Sequence, residues 1–203
     1  LYVVYAASTL DFTWERLVRG IEPGARFIAR MFPPAFDANR LALLQQGMLE
    51  SIEIAILATA VGIVLSLPLG LLASRNLMPR LVSWPARIVI ALCRTFHPVI
   101  IAILFVKAVG FGALAGILAL IVASMGFISK LFAEAIEEIS LKQVEAVRAT
   151  GATFFGTLVV GVIPQVLPRF VGFSAYQLDS NLRNSTMVGI VGGGGIGATL
   201  FTA

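Results

Sequence analysis

The sequence predicts an all-α fold, a polytopic bundle of transmembrane helices. Three observations carry that expectation: the composition, the long uncharged runs, and one short charged stretch set between such runs. Hydrophobic residues make up 58% of the chain and charged residues 13%, with a mean hydropathy of +0.93, whereas soluble domains are roughly half apolar and a quarter charged. A chain of 203 residues has room for about five spans of about 20 residues with short connections. The formal charge of +4 is small, and basic residues beside apolar segments report topology, so no nucleic-acid partner is expected. Cys93 is the single cysteine, which leaves no intrachain disulfide to form. Because the chain starts at Leu1 rather than Met and stops at Ala203 inside an apolar segment, both ends are expected to belong to a longer protein.

Residues 1–10 are apolar but short, as the tail of a first spanning helix would be. Trp14, Leu17, Val18 and Ile21 then recur at helical spacing with Glu15, Arg16 and Arg19 between them, the pattern of an amphipathic helix on a membrane surface or beside the core. Pro23 and Gly24 are expected to interrupt it, with residues 25–32 adding a turn or two and Pro33-Pro34 forcing an extended stretch. Residues 1–44 thus read as the end of a first span plus an interfacial elbow, and 45–203 as the main transmembrane domain.

No charge falls between Glu53 and Arg75, and that run is long enough to cross a bilayer, with Pro68 near its end. Arg75, Asn76, Pro79 and Arg80 make a short basic loop, placed in the cytoplasm by the positive-inside bias. The next span, from about Pro85 to Val106, holds Arg94 and His97 in its interior. Embedded ionisable groups face the bundle or a water-filled path, because lipid exposure costs a few kcal/mol or more. Arg94 is therefore part of an electropositive lining for an anionic solute, or else it snorkels or pairs with a helix carboxylate. His97, just before Pro98, suits a hydrogen bond that steadies a helix break. Lys107, Gly110 and Gly112 mark a tight turn, and the uncharged stretch to Ser129 spans again, with Gly112 and Gly116 spaced for close helix approach.

Residues 130–150 return to the cytoplasm with Glu134, Glu137, Glu138, Lys142, Glu145 and Arg148 at helical spacing. Ser140 with Gln143 forms a capping-box pattern, and Gly151 falls where a helix end prefers positive φ. The enclosed helix, 141–150, is about 15 Å long, a length that is marginal alone. Its stability has to come from docking, and a partner protein is the natural surface. In the following apolar segment a spanning helix is expected to start near Pro164, leaving 154–162 to run along or into the membrane surface. Asp179 and Arg183 stand at i,i+4 with the acid first, either a structural salt bridge or a way of holding Arg183 beside a solute path. Residues 184–203 carry no charge but are interrupted by Gly189 and by Gly192, Gly193, Gly194 and Gly195. With each glycine costing about 1 kcal/mol in a helix interior, a broken element lining a cavity is expected there, which makes Gly193 and Gly194 path candidates. Gly192, Gly194 and Gly197 spell G-x-G-x-x-G, yet no βαβ unit or downstream acid accompanies them, and no Lys-Ser or Lys-Thr completes a phosphate loop. The chain itself is thus not expected to bind ATP, hold a metal or carry a catalytic residue.

The segment 145–164 resembles the EAA loop of ABC-importer permeases, E-A-A-x3-G-x9-I-x-L-P. Glu145, Ala146, Gly151 and Pro164 match in register, while Val147 stands at the third position, Gly161 at the Ile and Ile163 at the Leu. FVKAVGFGALAGILAL, KLFAEAIEEI, VEAVRATGA, VIPQVLPRF and NLRNSTMVGIVGGGGIG extend the resemblance, which is to the permease subunit of phosphonate-type importers and covers nearly everything from Pro33 onward. Asp179 stands where such permeases usually carry Glu, and Thr95-Phe96-His97 where a Pro and an acid are more typical. The resemblance implies a type I ABC importer permease in a bacterial inner membrane, working as a homodimer. Its other partners would be two cytoplasmic ATPase subunits, which take ATP and magnesium, and an external solute-binding protein that delivers an oxyanion. The helix 141–150 would be the coupling helix, with Glu145, Ala146, Val147, Arg148, Gly151 and Pro164 forming the ATPase-coupling segment. Arg94, His97, Asp179, Arg183, Gly193 and Gly194 would border the translocation path, and one further span would follow Ala203. Span parity then puts 11–45 outside despite Arg16, Arg19, Arg26, Arg30 and Arg40, against the charge bias. The alternative functions are an ion-coupled secondary transporter or anion channel using Arg94, Asp179 and the glycine-rich break, and, third, a soluble nucleotide-dependent enzyme.

Overall fold

The structure is a computed structural model, and it describes Tyr2, Tyr5, Trp14–Arg30, Phe32 and residues 38–202. The expected first-span tail, apart from Tyr2 and Tyr5, and the Pro33-Pro34 stretch lie outside the described residues. The chain forms two compact units, Leu1–Ala38 and Asn39–Ala203.

In the first unit, α1 (Trp14–Arg30) is one helix that continues through Pro23, where an interruption was expected. A proline removes a single backbone donor, and an ion pair spans it, Glu22 to Arg26 at 2.9 Å, after another in the turn before, Glu15 to Arg19 at 3.1 Å.

The second unit is helical throughout its described residues: α2 (Ala38–Ala73), α3 (Arg80–Thr95), α4 (Pro98–Val109), α5 (Ala113–Glu137), α6 (Leu141–Ala149), α7 (Phe154–Thr157), α8 (Ile163–Val188) and α9 (Gly195–Thr202), with π-turns at Leu158–Val162 and Gly189–Gly193. Among the described residues, three stretches are long and apolar enough to cross a membrane: α2, α5 and the continuous run Phe154–Gly193. The α3–α4 pair passes the same test together but is bent by 89°.

The single span expected over 85–106 is therefore two helices meeting at a corner. Pro98 disfavours helical geometry in the residue before it, and both Phe96 and His97 are extended. His97 then caps α4, its Nδ1 accepting the Val99 N–H at 3.4 Å, the role its position suggested. The span expected over 53–75 is longer than its apolar run, because α2 begins at Ala38 and passes unbroken through Pro68.

Helix α5 is the centre of the unit. It contributes Ala119 and Leu120 to a cluster with Ile54, Ala58, Ile101 and Val188; Ala133 to one with Ala73, Ala86 and Ile90; and Phe132 and Ile136 to one with Val144, Val162 and Val166. Small residues permit the close crossing with α2. A Cβ on Gly62 would sit 2.6 Å from the Ser124 Cβ, and one on Gly70 would sit 2.7 Å from the Phe132 ring, while Ser129 Oγ donates to the Ser66 carbonyl at 3.3 Å. Many large apolar side chains on the outer faces are exposed, among them Leu65, Leu104, Leu114 and Val171. On a membrane protein such surface faces lipid or other subunits.

Candidate functional site

The short helix α6 is held to the bundle by very little. Of its nine residues only Val144 is buried, packing with Ile136, Val162 and Val166. Leu141, Glu145, Ala146 and Arg148 are exposed, and Val147 is half-buried. The expected capping box does not form, since the Ser140 side chain makes no cap hydrogen bond. Instead the Ser140 N–H donates to Gln165 Oε1 at 3.0 Å, and Gln165 Nε2 donates to the Gly161 carbonyl at 2.6 Å. One glutamine amide thus ties the start of α6 to the start of α8. Gly151 ends the turn at φ +79 with no heavy atom near its missing side chain, so conformation rather than space selects glycine there.

Residues 154–162 are helical and run into α8 through the π-turn, so the spanning run begins at Phe154 and not near Pro164, where the sequence suggested a start. Pro164 has no N–H, which deprives a carbonyl one turn earlier of its partner, and a π-turn is the local adjustment that absorbs such a loss. Gly161 lies beneath α6, where an added Cβ would be 3.5 Å from the Val144 Cα and 3.6 Å from Val147 Cγ2. An added Cβ there would thus be in ordinary contact with the two valines.

A polar joint stands beside α6. Glu137, the last residue of α5, accepts the Arg87 Nη2 at 2.6 Å and the Arg75 N–H at 2.6 Å. Arg87 Nε also donates to the Ala73 carbonyl at 2.9 Å, and Asn76 Nδ2 to the Ile136 carbonyl at 2.6 Å. Arg169 on α8 pairs with Glu138. The end of α5, the loop after α2, α3 and α8 are thereby connected at the point where α6 departs.

At mid-depth a second network joins α2, α5 and α8. Asn181 Nδ2 donates to Thr59 Oγ1 at 2.9 Å and to Ser124 Oγ at 2.7 Å, while Gln177 Nε2 donates to Ser124 Oγ at 3.0 Å and to Asn181 Oδ1 at 2.9 Å. All four side chains are buried. Sequence reading missed this group, because each is a lone polar residue in an apolar run; the regular spacing of Gln177 and Asn181 on one face of α8 was the available signal.

The glycine-rich break forms as expected. Gly192, Gly194 and Gly195 have φ of +100, +78 and +75, and α9 turns back onto α2, where Ser51 Oγ accepts the Ile196 N–H at 2.8 Å. A Cβ on Gly194 would lie 2.8 Å from Glu50 Oε1 and 2.8 Å from the Ala113 N, and a Cβ on Gly116 would overlap the Gly193 carbonyl. Gly116 is thus a true close-approach glycine, whereas Gly112 has nothing near it and serves the turn through its φ of +136. The Gly112 N–H donates to the Gly192 carbonyl at 2.9 Å.

The six path candidates fall in four places. Arg94 lies in the last turn of α3, with its stem over Gly126 near the middle of α5. His97 is at the corner between α3 and α4. Asp179 and Arg183 pair at 2.6 Å on an exposed face of α8, and Gly193 and Gly194 are in the glycine-rich break.

The chain matches the family described as binding-protein-dependent transport system inner membrane component over residues 66–203. It is 44% identical over 191 residues to the phosphate-import permease protein PhnE of Mycolicibacterium smegmatis, a match covering 94% of this chain and 35% of that protein. It is 40% identical to the phosphite transport system permease protein PtxC of Stutzerimonas stutzeri, covering 98% of this chain and 72% of that one. This chain thus spans about a third of the length of the mycobacterial relative and most of the other. Its fold is similar to that of a chain in a solved structure titled for inward-facing conformations of the MetNI methionine ABC transporter, with a TM-score of 0.74, 26% identity and 82% of each chain covered.

Proposed function

This chain belongs to the family of binding-protein-dependent transport system inner membrane components, and from that premise we propose that it is the permease subunit of an ATP-driven importer for a phosphonate- or phosphate-like oxyanion. In this reading it sits in a bacterial inner membrane with a second copy of itself, two cytoplasmic ATPase subunits and an extracytoplasmic solute-binding protein. Residues 1–44 hold the amphipathic elbow helix α1 and the first turns of α2, and 45–203 the rest of the permease domain. ATP and magnesium belong to the ATPase subunits, and this chain carries no cofactor of its own.

The observation that carries the reading is α6: a nine-residue helix seated by one buried side chain, Val144, with Glu145, Ala146 and Arg148 left exposed. A helix this short is marginal alone, and its outward face is free for an ATPase groove. Docking there would be transmitted into the bundle by named contacts. Val144 presses on Ile136 and Val162, the Ser140 N–H pulls on Gln165, and the Arg169–Glu138 pair links α8 to the end of α5. A push on α6 therefore reaches the C-terminal end of α5 and the N-terminal end of α8 together. Gly151 sets the direction in which the chain leaves α6, and Val147 with Gly161 sets the height of α6 above the π-turn. With α6 in the cytoplasm, the Arg87–Glu137 joint lies on that side and the glycine-rich break on the other. Arg94, near the middle of α5, borders the path between them, with His97, Asp179, Arg183, Gly193 and Gly194 as further candidates. The names of the relatives, which refer to phosphate and phosphite, support an oxyanion as cargo.

Purification with its neighbours tests this. A stoichiometric ATPase that copurifies, together with oxyanion uptake that requires ATP, supports the importer. Uptake driven by an ion gradient in ATP-free vesicles would instead select the secondary-transporter alternative.

A further inference from the structure

We infer that the cavity between α3 and α5 is a binding site for a phosphate-type oxyanion group, with Arg94, Lys130 and Arg87 as its cationic lining. The cavity has a volume of about 340 Å³ and is bordered by these three cations, by Glu134, and by apolar walls from Ile90 and Ala133. That volume is at the small end of the range of ligand pockets.

Two helix faces build it. On α3, Arg87, Ile90, Ala91 and Arg94 recur at helical spacing and lie on one face. On α5, Gly126, Lys130, Ala133 and Glu134 form the facing stripe. The faces approach closely at Gly126, where a Cβ would stand 2.9 Å from Arg94 Cγ and 2.9 Å from Cys93 Cβ. The missing side chain lets the Arg94 stem lie across α5, and Lys130 follows one turn further on. Glu134 offsets Lys130 at 3.5 Å, and Arg87 is held by Glu137 at 2.6 Å and by the Ala73 carbonyl at 2.9 Å. No ion pair among the described residues neutralises Arg94. Glu137 and Glu134 thus offset Arg87 and Lys130, and Arg94 is left as the uncompensated cation on a cavity of net positive charge, which favours an anion. A guanidinium fork with an ammonium beside it suits an oxyanion that accepts several hydrogen bonds.

The inference rests on the importer reading for its orientation only. With α6 cytoplasmic, the cavity runs from mid-depth at Arg94 to the joint at Arg87, which is where an imported oxyanion would leave. A phosphodiester lipid headgroup of the cytoplasmic leaflet has the same chemistry.

The test uses the full permease chain in nanodiscs. Inorganic phosphate is titrated into discs of phosphatidylcholine in one arm, and phosphatidylglycerol is exchanged into the discs in the other. Binding by one of the two anions is expected to weaken about tenfold in Arg94→Gln and in Lys130→Gln, and to strengthen in Glu134→Gln, which removes the repelling carboxylate. Arg94→Lys should retain most of it. Gly126→Ala, which moves the Arg94 stem without altering any charge, should reproduce the loss. Charge-dependent binding of inorganic phosphate identifies the occupant as a free oxyanion; binding of phosphatidylglycerol alone, with the same dependence, identifies it as lipid. If neither anion responds to these substitutions in protein of unchanged helical content, the site is overturned. The importer reading fails separately: an absent ATPase with phosphate binding still dependent on Arg94 and Lys130 would remove that reading and leave the site standing.

Discussion

The guanidinium of Arg87 and the carboxylate of Glu137 stand 50 positions apart in sequence and meet at 2.6 Å. Both side chains are about two-thirds or more buried, at 32% and 27% exposure, and Glu137 also accepts the Arg75 N–H. The pair therefore closes the loop after α2, α3 and the end of α5 around one carboxylate. Glu137→Gln would leave Arg87 without its counter-charge and is expected to cost about 2 kcal/mol. Thermal unfolding in detergent should show this as a midpoint lower by roughly 5 °C. An unchanged midpoint would place the pair among the surface ion pairs that contribute little.

Asn181 is the hub of the buried network, donating to Thr59 and Ser124 and accepting from Gln177. Asn181→Ala removes the hub and leaves its partners unpaired, and should destabilise by about 1 to 2 kcal/mol. Its exposed neighbour Leu182 is the control, since Leu182→Ala should fall within about 0.5 kcal/mol of the parent. Equal effects from the two variants would mean that the network does not hold α2, α5 and α8 together.

How much of this was legible depends on whether the cause is local. Gly151 and the Gly192–Gly195 cluster announced a helix stop and a broken element, because positive φ is a property of single residues. The short, exposed α6 was legible from its polarity and from the Gly151 stop. The break at His97-Pro98 was legible, but its 89° corner between two helices was not, since Pro98 sits in a run whose hydropathy looks continuous. Pro23 was misread in the opposite direction, as an interruption in a helix that carries on. Capping by Gln165 rather than by Ser140 and Gln143, and the meeting of Asn181 with Thr59, depend on contacts between distant segments, which no spacing rule reports. The six path candidates were chosen by residue type, and the fold distributes them over four places.

Among the helical glycines, the structure separates those that are needed from those that are not. A Cβ on Gly116 would overlap the Gly193 carbonyl, whereas Gly172 in α8 has nothing within 4 Å. Gly116→Ala should therefore force α5 away from the glycine-rich break and lower stability by about 1 to 3 kcal/mol. Gly172→Ala should raise stability by roughly 0.5 to 1 kcal/mol, because alanine is the better helix former. Chemical denaturation of the two variants side by side gives opposite signs if the packing is as described.

Docking of α6 on an ATPase is read out by charge reversal at Glu145. Glu145 is exposed and makes no ion pair among the described residues, so Glu145→Arg should leave thermal stability within about 0.5 kcal/mol of the parent. The measurement is the amount of ATPase retained on the purified permease and the ATP-driven oxyanion uptake of the reconstituted complex, for Glu145→Arg and for Gly151→Asp. Loss of uptake is expected in both variants, with ATPase binding weakened about tenfold or more by Glu145→Arg. Stoichiometric ATPase and full uptake in both would contradict it.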